Sequence, residues 1–272
     1  MRRAIDKAGA VLERVTVALV CLFLVAPIIA LIFMSLDSRA YLAPFPPPSL
    51  SLRWYAKLLH TDLLLKAAGN TALIAATATA TALLIGVPAG LALSGGHWRG
   101  RNLLTGFLMS PLAIPGVVLG FCMLLFWAKL QFSTGFLRLY CAHTVLTLPF
   151  ILRAVMGGTD GLNRNLASAA ESLGATPTRS LVDITLPLIR ANIVAGVVFA
   201  IAFSIDEIAV SLFLTDPNIT TLPVAMVSLM RSSFDLSVAA AAVALMVTTV
   251  LALLVLHLIF GMDRILGRGQ YG

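Results

Sequence analysis

The chain is predicted to be an all-α, polytopic membrane protein, with six transmembrane helices and a helix-turn-helix loop outside the bilayer. Three observations lead there. Of its 272 residues, 59% are hydrophobic and only 11% are charged, and the mean hydropathy is +0.97; an average soluble domain carries about 25% charged residues. Six apolar stretches each supply the roughly 20 residues that a helix needs to cross a hydrocarbon core. Between the fourth and fifth of these lies a polar segment, residues 162–190, too regularly patterned to be a slack connection.

The six stretches fall at about 15–36, 71–94, 103–127, 138–156, 192–214 and 237–260. Lys and Arg are spread unevenly over their flanks. One side takes twelve: Arg2, Arg3, Lys7, Arg14, Arg99, Arg101, Arg153, Arg164, Arg179, Arg190, Arg264 and Arg268; the other side takes seven. Because basic residues accumulate on the cytoplasmic face, both termini and the 162–190 segment are predicted to be cytoplasmic. The net charge of +7 is the excess of 19 basic over 12 acidic residues. No basic run interleaved with aromatics is present, so nucleic acid is not a predicted partner. The organisation read from this is a tail, first span and outer loop over 1–66, a core of five spans over 67–262, and a cytoplasmic tail over 263–272.

The first stretch exceeds the 7 to 15 apolar residues of a signal peptide and is read as a retained anchor. Beyond it, Pro44, Pro46, Pro47 and Pro48 predict a stiff extended passage, and Ser51 to Leu59 a short interfacial helix with Trp54 and Tyr55 at headgroup depth. The second stretch is rich in Ala, Thr and Gly from Asn70 to Ser94, which suits close backbone approach inside a bundle. Ser94 and His97, beside Gly95 and Gly96, read as helix C-capping, since no acid is placed to orient a nucleophile and base. In the third and fourth stretches Pro111, Pro115 and Pro149 each free a carbonyl that protein or a wet cavity must satisfy. Pathway-lining bends and plain structural kinks both fit. His143 and His257 read as hydrogen-bonded structure, and with His60 and His97 scattered no metal site is predicted. Cys21, Cys122 and Cys141 read as buried thiols.

The fifth stretch holds Asp206 and Glu207 in the run FAIAFSIDEIAVSLFL. One carboxylate near the bilayer centre costs about 2.5 to 3.5 kcal/mol on insertion scales, so the pair calls for a wet or paired environment. Counted from Asn192 at about 1.5 Å per residue they lie roughly 22 Å in, past the midplane. A substrate path for cations and a hydrogen bond to a neighbouring helix are the two readings.

The polar segment LNRNLASAAESLGATPTRSLVDITLPLIR reads as two short helices and a turn. Leu162, Leu166, Ala169, Ala170 and Leu173 recur at helical spacing on one stripe. Gly174 stands where a C-cap wants φ > 0, Thr176–Pro177 is an N-cap and first-turn signature, and Leu181, Ile184 and Leu188 face one side until Pro187 ends or kinks the second helix. The spacing Ala169–Ala170, three residues, Gly174, nine residues, Ile184–Thr185–Leu186–Pro187 resembles the "EAA" loop of permease subunits of binding-protein-dependent ABC importers. Ser168 stands where that family usually has Glu. In the family this loop fits a cleft on the ATP-hydrolysing subunit, and the resemblance implies the same use of Ser168, Ala169, Ala170, Gly174, Ile184, Leu186 and Pro187 here.

The run from Ser204 to Met246 and HTVLTLPFILRAV in the fourth stretch look like the second permease of spermidine/putrescine-type importers, in which an acidic pair recurs at this place. Importers for ferric iron, aminoethylphosphonate and opine-like compounds share much of the region. The resemblance covers about residues 50–260. It implies a bacterial inner-membrane permease paired with a homologous second permease, two ATP-binding subunits and a periplasmic substrate-binding protein, moving a small, cationic, polyamine-like solute by alternating access. The chain has no G-x-x-x-x-G-K-[ST] nucleotide loop, so no cofactor and no catalytic residue of its own is predicted. A proton-coupled secondary transporter would use Asp206 or Glu207 as carrier, but inverted repeats are not found.

Overall fold

The computed structural model describes residues 2–41, 43–95, 98–131, 134–163, 165–232 and 236–260. His97, Arg164, the His257 side chain and the tail 263–272, with Arg264 and Arg268, lie outside them. Every regular element among the described residues is helical. In order they are α1 (Arg2–Ser35), α2 (Arg53–Leu59), α3 (Asp62–Ser94), α4 (Arg101–Met109), α5 (Gly116–Leu130), α6 (Gly135–Asp160), α7 (Asn165–Ser172), α8 (Pro177–Ser180), α9 (Leu186–Asp206), α10 (Ser211–Leu214), α11 (Leu222–Ser232) and α12 (Ser237–Phe260). Five of the helical runs are long and apolar enough to span a membrane, and α4 with α5 makes a sixth if that bent pair counts as one span. The chain divides into two compact units, residues 1–65 with 226–247 and residues 66–225 with 248–272.

In the first unit, α1 is apolar along most of its length and none of its spanning stretch is buried, as expected of a helix facing lipid or a partner. After it the chain doubles back. Ser51 N–H donates to the Leu36 carbonyl at 2.6 Å and Ser38 N–H to the Ser49 carbonyl at 3.3 Å. This turn overturns the expectation of a headgroup anchor for Trp54. Trp54 is 3% exposed and packs with Leu236, Ala240, Met34 and Tyr55, its indole N–H donating to the Asp37 carbonyl at 2.7 Å. An indole that finds an acceptor inside the protein has no need of the interface. Asp37 also binds Arg39 through both carboxylate oxygens, at 2.6 Å for the shortest contact. The hydrogen-bonded guanidinium holds the Asp37 carboxyl below the usual value of 3.8.

In the second unit α3, α6 and α9 carry the packing. A stripe of small residues on α3, Ala67, Thr71, Ala75, Ala78 and Ala82, is buried. It continues as Gly86 and Gly90, where a Cβ would meet Ile151 and Val155 of α6 at 2.8 Å, so only glycine allows this approach. Ala82, Ile151, Val155, Ile189 and Ala200 make one core cluster; Ile74, Leu139, Ala142, Leu146, Val210 and Leu214 make another. Cys21 and Cys122, expected to be buried, lie on exposed helix faces. Position along an apolar helix does not say which face is covered.

Two spans differ from the sequence expectation. The third is not continuous: a 3₁₀ turn over Ser110–Leu112 ends its first half, and the second half departs at 100°. Pro115 supplies the reason, since it has no N–H and disfavours helix at Ile114 before it; it adopts φ −55°, ψ 130° and α5 starts at Gly116. The fifth does not start at residue 192 and run to 214. It begins at Pro177, continues through a π-helical stretch over Leu181–Thr185, and stops at Asp206. Pro187 therefore neither ends the helix nor leaves it regular. Its ring would clash with the Asp183 carbonyl in an α-helix, and the wider π turn just before it relieves that clash. Pro149, by contrast, sits within one unbroken α6.

Candidate functional site

Two places in the second unit gather the residues singled out above. The first is the 165–190 segment. Gly174 has φ +93°. Its N–H donates to the Glu171 carbonyl and that of Ala175 to the Ala170 carbonyl, each at 3.0 Å, which is a Schellman cap closing α7. Thr176 accepts from the Arg179 N–H at 3.3 Å and Pro177 takes the first helical turn. Ser168, Ala169, Glu171 and Ser172 are exposed, Ala170, Ile184 and Leu186 half-buried, Pro187 exposed. Of the stripe predicted on this segment, Leu166 and Leu173 are 47% and 89% exposed and Ala169 is exposed as well. The inner side of the segment borders a cavity of about 270 Å³ lined by Leu162, Leu166, Ile184 and Leu188 with Ser94 and Thr159. Ser94 Oγ donates back one turn to the Gly90 carbonyl at 2.8 Å.

The second place is the break after α9. Asp206 is the last residue of α9, and Glu207 is extended at φ −69°, ψ 116°. The two acids are therefore not successive positions on a continuous helix. Glu207 Oε1 accepts from the Val210 N–H at 2.8 Å, capping the turn that leads into α10. Asp206 is exposed, and its side chain makes no hydrogen bond or ion pair to another described residue. The start of α5 lies against this break. A Cβ on Gly116 would come 2.9 Å from Ala209 Cβ and 4.0 Å from Glu207 Oε1, and one on Gly120 would come 2.9 Å from Val210 Cα. The two broken spans thus meet at their breaks.

His143 of α6 joins the two sides of the break. Buried, it sits 2.7 Å through Nδ1 from Ser204 Oγ on α9 and 2.9 Å through Nε2 from Ser211 Oγ on α10. Ser204 and Ser211 carry no motif, and sequence reasoning passed over both; their one signal is that they are polar in an apolar run and seven residues apart. Farther on, Arg138 Nη2 holds Asp216 Oδ2 at 2.9 Å, and the Leu222 N–H of α11 donates to Thr71 Oγ1 of α3 at 2.7 Å.

Both places lie within residues 82–267, which match the family described as "Binding-protein-dependent transport system inner membrane component". The chain belongs to that family. It is a multi-pass permease component of the inner membrane. Among its relatives, the putrescine transport system permease protein PotI of Escherichia coli K12 is 31% identical over 216 residues, 77% of this chain and 76% of the relative. The spermidine/putrescine transport system permease protein PotC of the same strain is 30% identical over 237 residues, 87% and 89% of the two chains. The molybdate/tungstate transport system permease protein WtpB of Pyrococcus abyssi is 31% identical over 60% of this chain. The solved structure of a bacterial ABC transporter that imports the acidic polysaccharide alginate has the same fold, with a TM-score of 0.68 at 15% identity, covering 93% of this chain and 95% of that one.

Proposed function

We propose that this permease moves a small, cationic, polyamine-like solute from periplasm to cytoplasm, paired with a homologous second permease, two ATP-binding subunits and a periplasmic substrate-binding protein. One observation carries the reading: the second helix of the 165–190 segment and the helix that ends at Asp206 are a single 30-residue run from Pro177 to Asp206. At about 1.5 Å per residue that is a rod of about 45 Å. A push on α7 and α8 by an ATP-binding subunit would move this rod and, at its far end, the acid and the break. Ser168, Ala169, Ala170 and Gly174 would meet that subunit, while Ile184, Leu186 and Pro187 would pass the motion on. Closure of the ATP-binding pair would then turn the bundle from inward-open to outward-open.

The names of PotI and PotC support the choice of solute, as does an exposed carboxylate at the break. WtpB, named for oxyanions, supports the competing reading of a same-family importer whose solute is not a cation. The test is ATPase stimulation of the purified complex with its binding protein, using putrescine, ferric iron, aminoethylphosphonate and molybdate in turn. Stimulation by putrescine that Asp206→Asn weakens about tenfold in apparent affinity is expected. Stimulation by an anion or ferric iron alone removes the polyamine reading, and uptake driven by a pH gradient without any ATPase removes the importer.

A further inference from the structure

We infer that His143 is a positioning residue, a latch that holds the fifth span folded at its break and so sets where Asp206 stands. The inference rests on the proposal that the break belongs to the solute path.

Ser204 and Ser211 are seven residues apart. In a straight helix they would lie about 10.5 Å apart along the axis and on nearly the same side. One imidazole, with contacts of 2.7 Å and 2.9 Å at the two nitrogens of a five-membered ring, does not cover that distance. The bridge therefore exists only because Glu207 to Val210 leave the helix and fold α10 back. Straightening the span breaks at least one of its two hydrogen bonds.

The chemistry selects histidine. A neutral imidazole presents one N–H and one bare nitrogen, and a hydroxyl donates or accepts as needed, so one serine accepts from the ring and the other donates to it. All three side chains are buried, and a polar group left unpaired there is costly. The same fold-back places Glu207 at the Val210 N–H and lets Gly116 and Gly120 seat α5 against the turn. Both ring nitrogens of His143 are taken up by Ser204 and Ser211 rather than by Asp206, so it acts on the solute only through the shape of the break.

The test uses the reconstituted transporter with its ATP-binding and solute-binding partners, in a Cys21→Ser, Cys122→Ser, Cys141→Ser background. Asp206→Cys reports the position of residue 206 through its rate of modification by a membrane-impermeant thiol reagent; a matched set with Asp206 intact reports the putrescine concentration for half-maximal ATPase stimulation. His143→Ala is expected to change the modification rate and that concentration by about tenfold each, a factor that corresponds to about 1.4 kcal/mol. Ser204→Ala and Ser211→Ala each produce part of the effect, and adding either to His143→Ala produces nothing more, because the bridge acts as a unit. If His143→Ala inserts poorly, the two serine variants carry the test. Wild-type modification rates in all three variants, or full additivity among them, overturn the latch. A changed modification rate in a transporter that putrescine does not stimulate upholds the latch and removes the polyamine reading instead.

Discussion

Glu207 spends one carboxylate oxygen on the Val210 N–H, while its neighbour Asp206 is left exposed, so the two acids are separable by substitution. Glu207→Gln keeps an oxygen for that amide, whereas Glu207→Ala leaves it without one. Loss of a cap of this kind costs about 1 kcal/mol. Thermal unfolding of the detergent-purified protein is expected to show that loss for alanine and little for glutamine; equal losses would mean that charge, not the accepted hydrogen bond, holds the turn. At Gly116 the constraint is space. Gly116→Val places its side chain where Ala209 stands, and overpacking at such a contact costs about 1 to 3 kcal/mol. The same unfolding assay reads this, and an unchanged midpoint would show that α5 can withdraw from the break without loss.

The elements that join the two places depend on two backbone devices. Gly174 at φ +93° has open space around it, so a substitution there is opposed by the backbone conformation alone. Gly174→Val is expected to re-aim α7 against α8 and lower the solute moved per ATP hydrolysed several-fold while the protein stays inserted; normal coupling would remove the lever role. Pro187 is the second device. Pro187→Ala restores an N–H and removes the clash that the π turn at Leu181–Thr185 avoids, so the stretch can return to an α-helix and rotate α8 about α9 by about 100°, the angle of one residue. A disulfide between cysteines engineered on α7 and α9 would form at a different rate in that variant, and an unchanged rate would mean that the π turn has another cause.

At the scale of the whole molecule, charge bias and burial make separate predictions. In a cysteine-free background, Ser168→Cys is expected to be labelled from the cytoplasmic side only and Tyr41→Cys from the outer side only, both positions being exposed. The reverse pattern would invert the topology. In the first unit the tie between Asp37 and Arg39 makes stability depend on pH. Because the folded carboxyl lies below 3.8, the contribution is fully present above that value and is lost as pH falls through the lower, folded one. Trp54, whose indole binds the Asp37 carbonyl, should report this as a fluorescence change below about pH 3.8 when Trp98 and Trp127 are replaced by Phe. Arg39→Ala should move the change upward.

Much of this protein is legible without its structure. Apolar length and low charge determine a helical membrane bundle, since a chain in lipid must satisfy its backbone within each segment. Lys and Arg counts orient it in expectation, and the caps at Gly174 and Thr176 are readable because a cap depends on its own few residues. The breaks are half legible: Pro115 announces a bend but not its 100°, and nothing local says that the helix capped at Thr176 runs on past Pro187 as the fifth span and stops at Asp206. Trp54 looks like an interface anchor because its burial depends on a turn between Leu36 and Ser51 and on Leu236, far along the chain. Ser204 and Ser211 become visible only once the chain has folded back on His143. The sequence by itself determined the membrane bundle and the short-range caps, because both depend on composition and on residues a few positions apart. The tertiary structure alone decided which polar groups pair inside the bundle, because such a hydrogen bond forms only when packing brings distant positions within about 3 Å.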